Sequence, residues 1–224
     1  MFNKMLKKII VTILLFNIMG CRSQETQENN NMEIFDIKKY ENLEKDERYI
    51  STKNDICYKS GNIRYRILLL NEVIQLEKTE INIPFEEVKV YYLESKRLKI
   101  TGRYFFNRPI GIWKYYDEAG KLIKENNYDL SYNFTINDLA KKMKEKYDVD
   151  IFDLKQTRNV SRYEEKKYLN IPIYEVWSYN KTNPLALICF ILNGATGEII
   201  YKGERFIEGE KESLLDQYLK TKNK

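Results

Sequence analysis

The groups able to do chemistry in this chain form a short inventory. There are three cysteines, 33 carboxylates and no histidine among 224 residues. Without histidine the chain lacks the commonest general base and the commonest metal ligand. No Ser-His-Asp or Cys-His catalytic arrangement can be assembled within it. Asp148, Asp150 and Asp153 in "YDVDIFD" form an acidic cluster. Their spacing, and the lack of a glycine at the turn, do not match a calcium loop of the EF-hand kind, so a solvated helix exit is the better reading. A pair of carboxylates could hydrolyse a glycosidic bond, but no pair is singled out by the sequence. An enzyme is therefore not expected, nor a cofactor or a resident metal.

The formal net charge is +5, and Lys4, Lys7 and Lys8 near the start carry three of those charges, leaving +2 for the rest. The remaining charges are interspersed in both signs. That is a solvated surface and not the basic stripe of a nucleic-acid binder.

Cys21 has the most specific context of the three cysteines. "MFNKMLKKIIVTILLFNIMGC" has a basic start, an apolar run from Ile9 to Phe16 and a small residue before the cysteine, the pattern of an export signal. The run is shorter than the roughly 20 apolar residues of a membrane-spanning helix. "IMGC", Ile18 to Cys21, resembles the lipobox of bacterial lipoproteins. In that family Ile18, Met19 and Gly20 are read by the signal peptidase. Cys21 then becomes the acylated amino terminus, and multiple acyl chains anchor the protein stably. The resemblance implies a cell-envelope location, on the outer membrane or the periplasmic face.

Residues 21–34 are polar and lack hydrophobic period, so they read as a flexible tether after a signal peptide at 1–20. Export would place Cys57 and Cys189 in an oxidising compartment where they could pair. Cys189 lies in "LALICFIL", where a buried thiol is the simpler outcome.

The elements that must position any site are mainly strands. Tyrosine is used 18 times and phenylalanine 10, which suits half-buried pleated surfaces. "NIRYRILLL", "EVIQLEKTEI" and "EEVKVYYLE" are strand-like runs divided by turn signals, the pattern of an antiparallel meander. A β-rich domain is expected over 35–130.

Within it the chain repeats itself. Tyr91, Tyr92, Glu94, Leu98 and Tyr104 recur 24 residues later as Tyr115, Tyr116, Glu118, Leu122 and Tyr128. A fixed period of this size marks stacked supersecondary units, here two hairpins at 91–104 and 103–129. Gly120 suits a left-handed turn position, and Lys96 occupies its equivalent in the first unit. Gly102 and Gly111 suit a bulge or a close backbone approach.

"GRYFFNRPIGIWKYYDEAGKLIKENNYD" resembles the MORN-repeat variant of bacterial proteins. The matching residues are Gly102, Tyr104, Gly111, Trp113, Tyr116, Gly120, Lys121, Leu122 and Tyr128. The resemblance implies β-hairpins stacked into a sheet, and an antitoxin-like or scaffolding role with a protein partner, either a toxin or an envelope protein. The chain has barely two units where the family has arrays. Tyr104, Trp113, Tyr115, Tyr116 and Tyr128 are expected chiefly to pack, with a recognition patch as the alternative.

The last third alternates helix and strands. "FTINDLAKKMKEKYDVDI" reads as a helix with Thr135 and Asp138 as a near capping box. Ile136, Leu139, Met143 and Tyr147 fall on one stripe. Leu185–Leu192 is nearly all apolar, so it is expected to be a central strand. "NGATG" turns the chain, with Gly194 and Gly197 supplying positive φ. "FILNGATGEIIY" is similar to the last hairpin of PepSY-type modules, which supports an α+β unit over 131–209 and a terminal helix or tail at 210–224. The fold class expected is α+β: a mainly antiparallel meander, then a helix packed on a second small antiparallel sheet. The function expected is a membrane-anchored, non-catalytic protein-binding lipoprotein of the immunity or antitoxin kind, with a structural or assembly component of an envelope complex as the alternative.

Overall fold

A computed structural model of the chain describes residues 32–208 and 212–222. The chain from Met32 to Lys224 forms a compact unit of its own. The lipobox residues Ile18, Met19, Gly20 and Cys21, and most of the expected tether, lie outside the described residues.

The architecture is α+β. A short helix α1 (Lys38–Glu41) and strand β1 (Glu44–Lys45) precede seven strands. These are β2 (Asp55–Ser60), β3 (Ile63–Leu69), β4 (Val73–Glu80), β5 (Phe85–Tyr92), β6 (Leu98–Phe105), β7 (Arg108–Tyr116) and β8 (Leu122–Asn127). They pair in sequence order as one eight-stranded antiparallel meander. Helix α2 (Ile136–Tyr147) follows, then β9 (Thr157–Glu165), β10 (Ile171–Tyr179), β11 (Ala186–Asn193) and β12 (Ile199–Phe206), and finally α3 (Leu214–Lys222). The second sheet has the order β12-β11-β10-β9 and is also antiparallel. The apolar run ending in Leu192 is thus an inner strand, as its composition requires.

Helix α2 starts where its sequence says it should. The Thr135 side chain accepts the Asp138 N–H, and the Asp138 carboxylate accepts the Thr135 N–H. Two of the helix's otherwise unpaired donors are so satisfied. Leu139 and Met143 point inward from α2 and are fully buried. They share one core with Val160, Tyr174, Val176, Phe190 and Leu192 of the small sheet. Phe105 and Ile110 of the large sheet sit in the same core, so the β-rich segment and the α+β unit bury apolar surface jointly. On the other face of the small sheet, Leu214 and Tyr218 of α3 cover Ile173, Leu187, Cys189 and Ile191.

The repeat is two hairpins, β5–β6 and β7–β8. The two units touch: the Tyr92 hydroxyl donates to the carbonyl of its counterpart Tyr116 at 2.9 Å, and Arg97 donates to the Glu118 carbonyl at 2.7 Å. Gly120 takes φ 86° in its turn, and Lys96 takes φ 59° at the equivalent place. The left-handed geometry therefore persists without glycine, at a modest steric cost. Of the two glycines in "NGATG", only Gly197 has positive φ. Gly194 is needed for a different reason, since a Cβ there would press on the Tyr132 ring.

Candidate functional site

Strand alternation sends Val88, Val90, Ile100, Tyr104, Trp113 and Tyr115 to one face of the large sheet. With Val73 of β4 these residues form one cluster, with Val88, Val90 and Trp113 buried. Trp113 is 7% exposed. Its indole lies over Gly102, where any Cβ would overlap the ring. Its Nε1–H donates to the Arg103 carbonyl at 3.2 Å. Tyr104 meets it edge-on at a centroid distance of 4.9 Å, and Tyr128 at 6.0 Å. Gly111 has φ 66° and open space around it, and the Gly111 carbonyl accepts the Tyr128 N–H at 2.9 Å. Tyr115 and Tyr116 are half-buried, and Tyr128 is exposed at its edge. These side chains shield one another, and most of their contacts are internal packing.

A polar strip continues the same face. Arg66 donates twice to Asp55, at 2.9 and 2.7 Å, and reaches Glu77 at 3.4 Å. Glu77 pairs across the strands with Val88, and Thr79 with Glu86, so Glu77 and Glu86 are diagonal neighbours. Glu86 also pairs with Tyr104 on the other side. Burial pushes the Glu86 carboxyl up to about 7, and the charge of Glu77 adds to it while Arg66 opposes. The folded value lies above the ordinary 4.5, so the folded state holds a proton that the unfolded chain has lost. Stability is full below pH 4.5 and declines as pH rises through about 7. Glu86→Gln is expected to flatten that decline. At pH 8 it should stabilise the fold by about 1–2 kcal/mol, after discounting the shift for solvent screening. Urea melts at pH 5 and pH 8 check this; an equal effect at both values would contradict the assignment.

Other expected chemical groups are committed to structure. Asp148 pairs with Lys144 and Lys181. Asp150 accepts the Phe152 N–H, and Asp153 accepts the Lys155 N–H. Among the described residues no group of three or more His, Cys, Asp or Glu could hold a metal ion. Cys57 on β2 and Cys189 on β11 are both buried free thiols. Burial pushes both thiols up, Cys189 to about 12. They are protonated and unreactive at neutral pH.

Several concave places open on the surface, one of about 400 Å³ lined by Lys78, Glu80, Phe85, Glu87 and Arg103; two others set an arginine against an aromatic ring. The first is a cleft of about 280 Å³ between the sheets, lined by Phe85, Arg103, Tyr132, Arg162 and Tyr174. Its buried cation is already used, because Arg162 binds the Asp129 carboxylate at 2.6 Å and the Tyr128 carbonyl. The second is a cup of about 260 Å³ on the small sheet. Trp177 of β10 and Leu187 of β11 form its floor. Arg158 and Asn159 of β9 stand on one side, and Arg205, Phe206 and Ile207 on the other. The Arg205 guanidinium stacks on the Trp177 ring at 4.9 Å. Phe206 is 63% exposed, and neighbouring Leu185 is 69% exposed. The Leu185 carbonyl accepts the Ile207 N–H at 2.8 Å.

Sequence reasoning missed the cup. Its residues come from four strands between 158 and 207, and only the register joins them. Trp177 pairs with Asn159 on one side, and Leu187 pairs with Arg205 on the other. The sole local signal was an arginine beside two exposed apolar residues in "GERFI".

Comparisons with family models, with curated proteins and with solved structures found no match. Among the described residues no helix is long and apolar enough to cross a membrane.

Proposed function

We propose that this is a lipid-anchored protein of a bacterial cell envelope that binds a protein partner without catalysing a reaction. In its sharpest form it is an immunity protein that occludes an incoming toxin. The observation that carries the binding reading is the cup. Arg158 and Phe206 stand exposed around one depression, with Trp177 and Arg205 half-buried in it; aromatic residues and arginine are enriched at protein–protein interfaces, and Trp and Arg dominate their hot spots. The anchoring reading rests on the lipobox residues Ile18 to Cys21. The lack of histidine and the commitment of the cysteines support a non-catalytic role.

Two measurements test it. Cys21→Ala should move the protein out of the membrane fraction; unchanged fractionation would remove the anchor. The tagged chain, mixed with envelope extract and secreted proteins, should retain one protein at equimolar ratio in high salt. Retention of none would remove the binding reading.

One observation favours an assembly role. Among the described residues β8 has no neighbour on its outer side, and Ile123 on it is 61% exposed. An open edge can accept a further strand. Ile123→Pro should then abolish association with several envelope proteins, and would leave a single cup-bound partner unaffected.

A further inference from the structure

We propose that the cup on the small sheet is a receptor for an acidic segment of the partner, with carboxylates held by Arg158 and Arg205 and an adjoining apolar side chain on Trp177 and Leu187. This rests on the protein-binding reading above and specifies the partner's chemistry.

The arginines of the cup carry charge that the described residues leave unpaired. Arg48, Arg64, Arg66, Arg97 and Arg162 each donate to an oxygen of the protein itself. Arg103, Arg108, Arg158 and Arg205 donate to none among the described residues, and of these only Arg158 and Arg205 share one depression. The Arg205 guanidinium lies over the Trp177 ring at 4.9 Å. The planar fork of a guanidinium matches a carboxylate in two-point fashion. No acidic residue lines the cup. The nearby Glu175 is already engaged, accepting the Tyr163 hydroxyl at 2.7 Å and the Trp177 Nε1–H at 3.4 Å. It does not neutralise the arginines by direct contact.

The apolar part of the cup sets the second requirement. Leu187, Phe206 and Ile207 line it with Trp177, so a ligand of pure charge would leave this surface wet. An acidic residue followed by an aliphatic or aromatic one fills both parts. The two guanidiniums flank one depression, so two carboxylates spaced along an extended segment suit it better than one. A lipid headgroup would supply the anion too. However, the exposed Glu208 beside Ile207 would face a bilayer that engages these side chains, and like charge opposes that approach.

The test uses residues 32–224, which hold every core cluster described here. The probe is a fluorescein-labelled, end-capped peptide, Phe-Glu-Leu-Glu-Phe, with its Gln counterpart as control. Fluorescence anisotropy should show the acidic peptide binding at least tenfold more tightly than the Gln peptide, with affinity falling as salt rises. The double variant Arg158→Gln, Arg205→Gln should erase the difference. Arg158 is exposed and Arg205 half-buried, and an unchanged melting temperature would show that the fold is kept. Equal affinity for the two peptides, or indifference to the double variant, would overturn the proposal. So would binding of anionic phosphatidylglycerol vesicles through the same arginines without peptide binding. If the captured partner still binds the double variant undiminished, the protein-binding reading stands and the cup assignment falls.

Discussion

Trp113→Ala is expected to lower the unfolding free energy by about 3–5 kcal/mol, the cost of deleting a large buried aromatic. The indole is the hub of the face cluster: it covers Gly102, bonds the Arg103 carbonyl and receives Tyr104 and Tyr128 edge-on. Gly102→Val should cost about 2–3 kcal/mol, because the new side chain and the indole would occupy the same space. The two effects should not add. With Trp113 replaced by alanine the space above residue 102 is free, and Gly102→Val should become nearly neutral. A double-mutant cycle by urea unfolding measures this coupling. Additive costs would mean that the glycine serves its backbone and not the tryptophan.

Arg162→Met is expected to cost about 3 kcal/mol, a large share of the stability of an ordinary domain. The Arg162 side chain is only 4% exposed. Its guanidinium lies 3.9 Å from the Tyr132 ring centre. It binds Asp129, whose other carboxylate oxygen accepts the Gly111 N–H at 2.9 Å. One side chain of β9 thus ties the end of β8 and the bend in β7 to the small sheet. Methionine keeps the volume but leaves the Tyr128 carbonyl and the Asp129 carboxylate without their donor. Arg162→Lys should recover less than half of the loss, because a single ammonium cannot reproduce the planar fork. Thermal and chemical melts of the three proteins would decide it; a loss under 1 kcal/mol for Arg162→Met would show that the sheets are joined by apolar packing alone.

Local pattern carried the elements of this fold. The alternation from Asn62 onward and the repeated Tyr, Leu and Glu positions give hairpins because side-chain period and turn chemistry act within a few residues. The Thr135–Asp138 cap is legible for the same reason. Lys96 shows the limit: the turn keeps its shape with a lysine where glycine was the signal, because the flanking strands hold it. What local pattern could not carry is the meeting of residues far apart in sequence. Glu77 and Glu86 become neighbours through the β4–β5 register. Arg162 finds Asp129 only when the second sheet docks. Arg158, Trp177 and Arg205 gather only because the small sheet is ordered β12-β11-β10-β9. The repeat drew attention as the candidate site, yet its buried tryptophan holds the sheet together. Arg158, Trp177 and Arg205 lie outside the repeat, at positions that no motif marks.

The most direct test of the account is side-by-side capture by wild type and by the double variant Arg158→Glu, Arg205→Glu, with the retained protein measured by quantitative mass spectrometry. The account predicts one equimolar partner for wild type and at least a tenfold loss for the variant, with melting temperature unchanged. Equal recovery of the same partner by both proteins would contradict it and move recognition elsewhere on the surface.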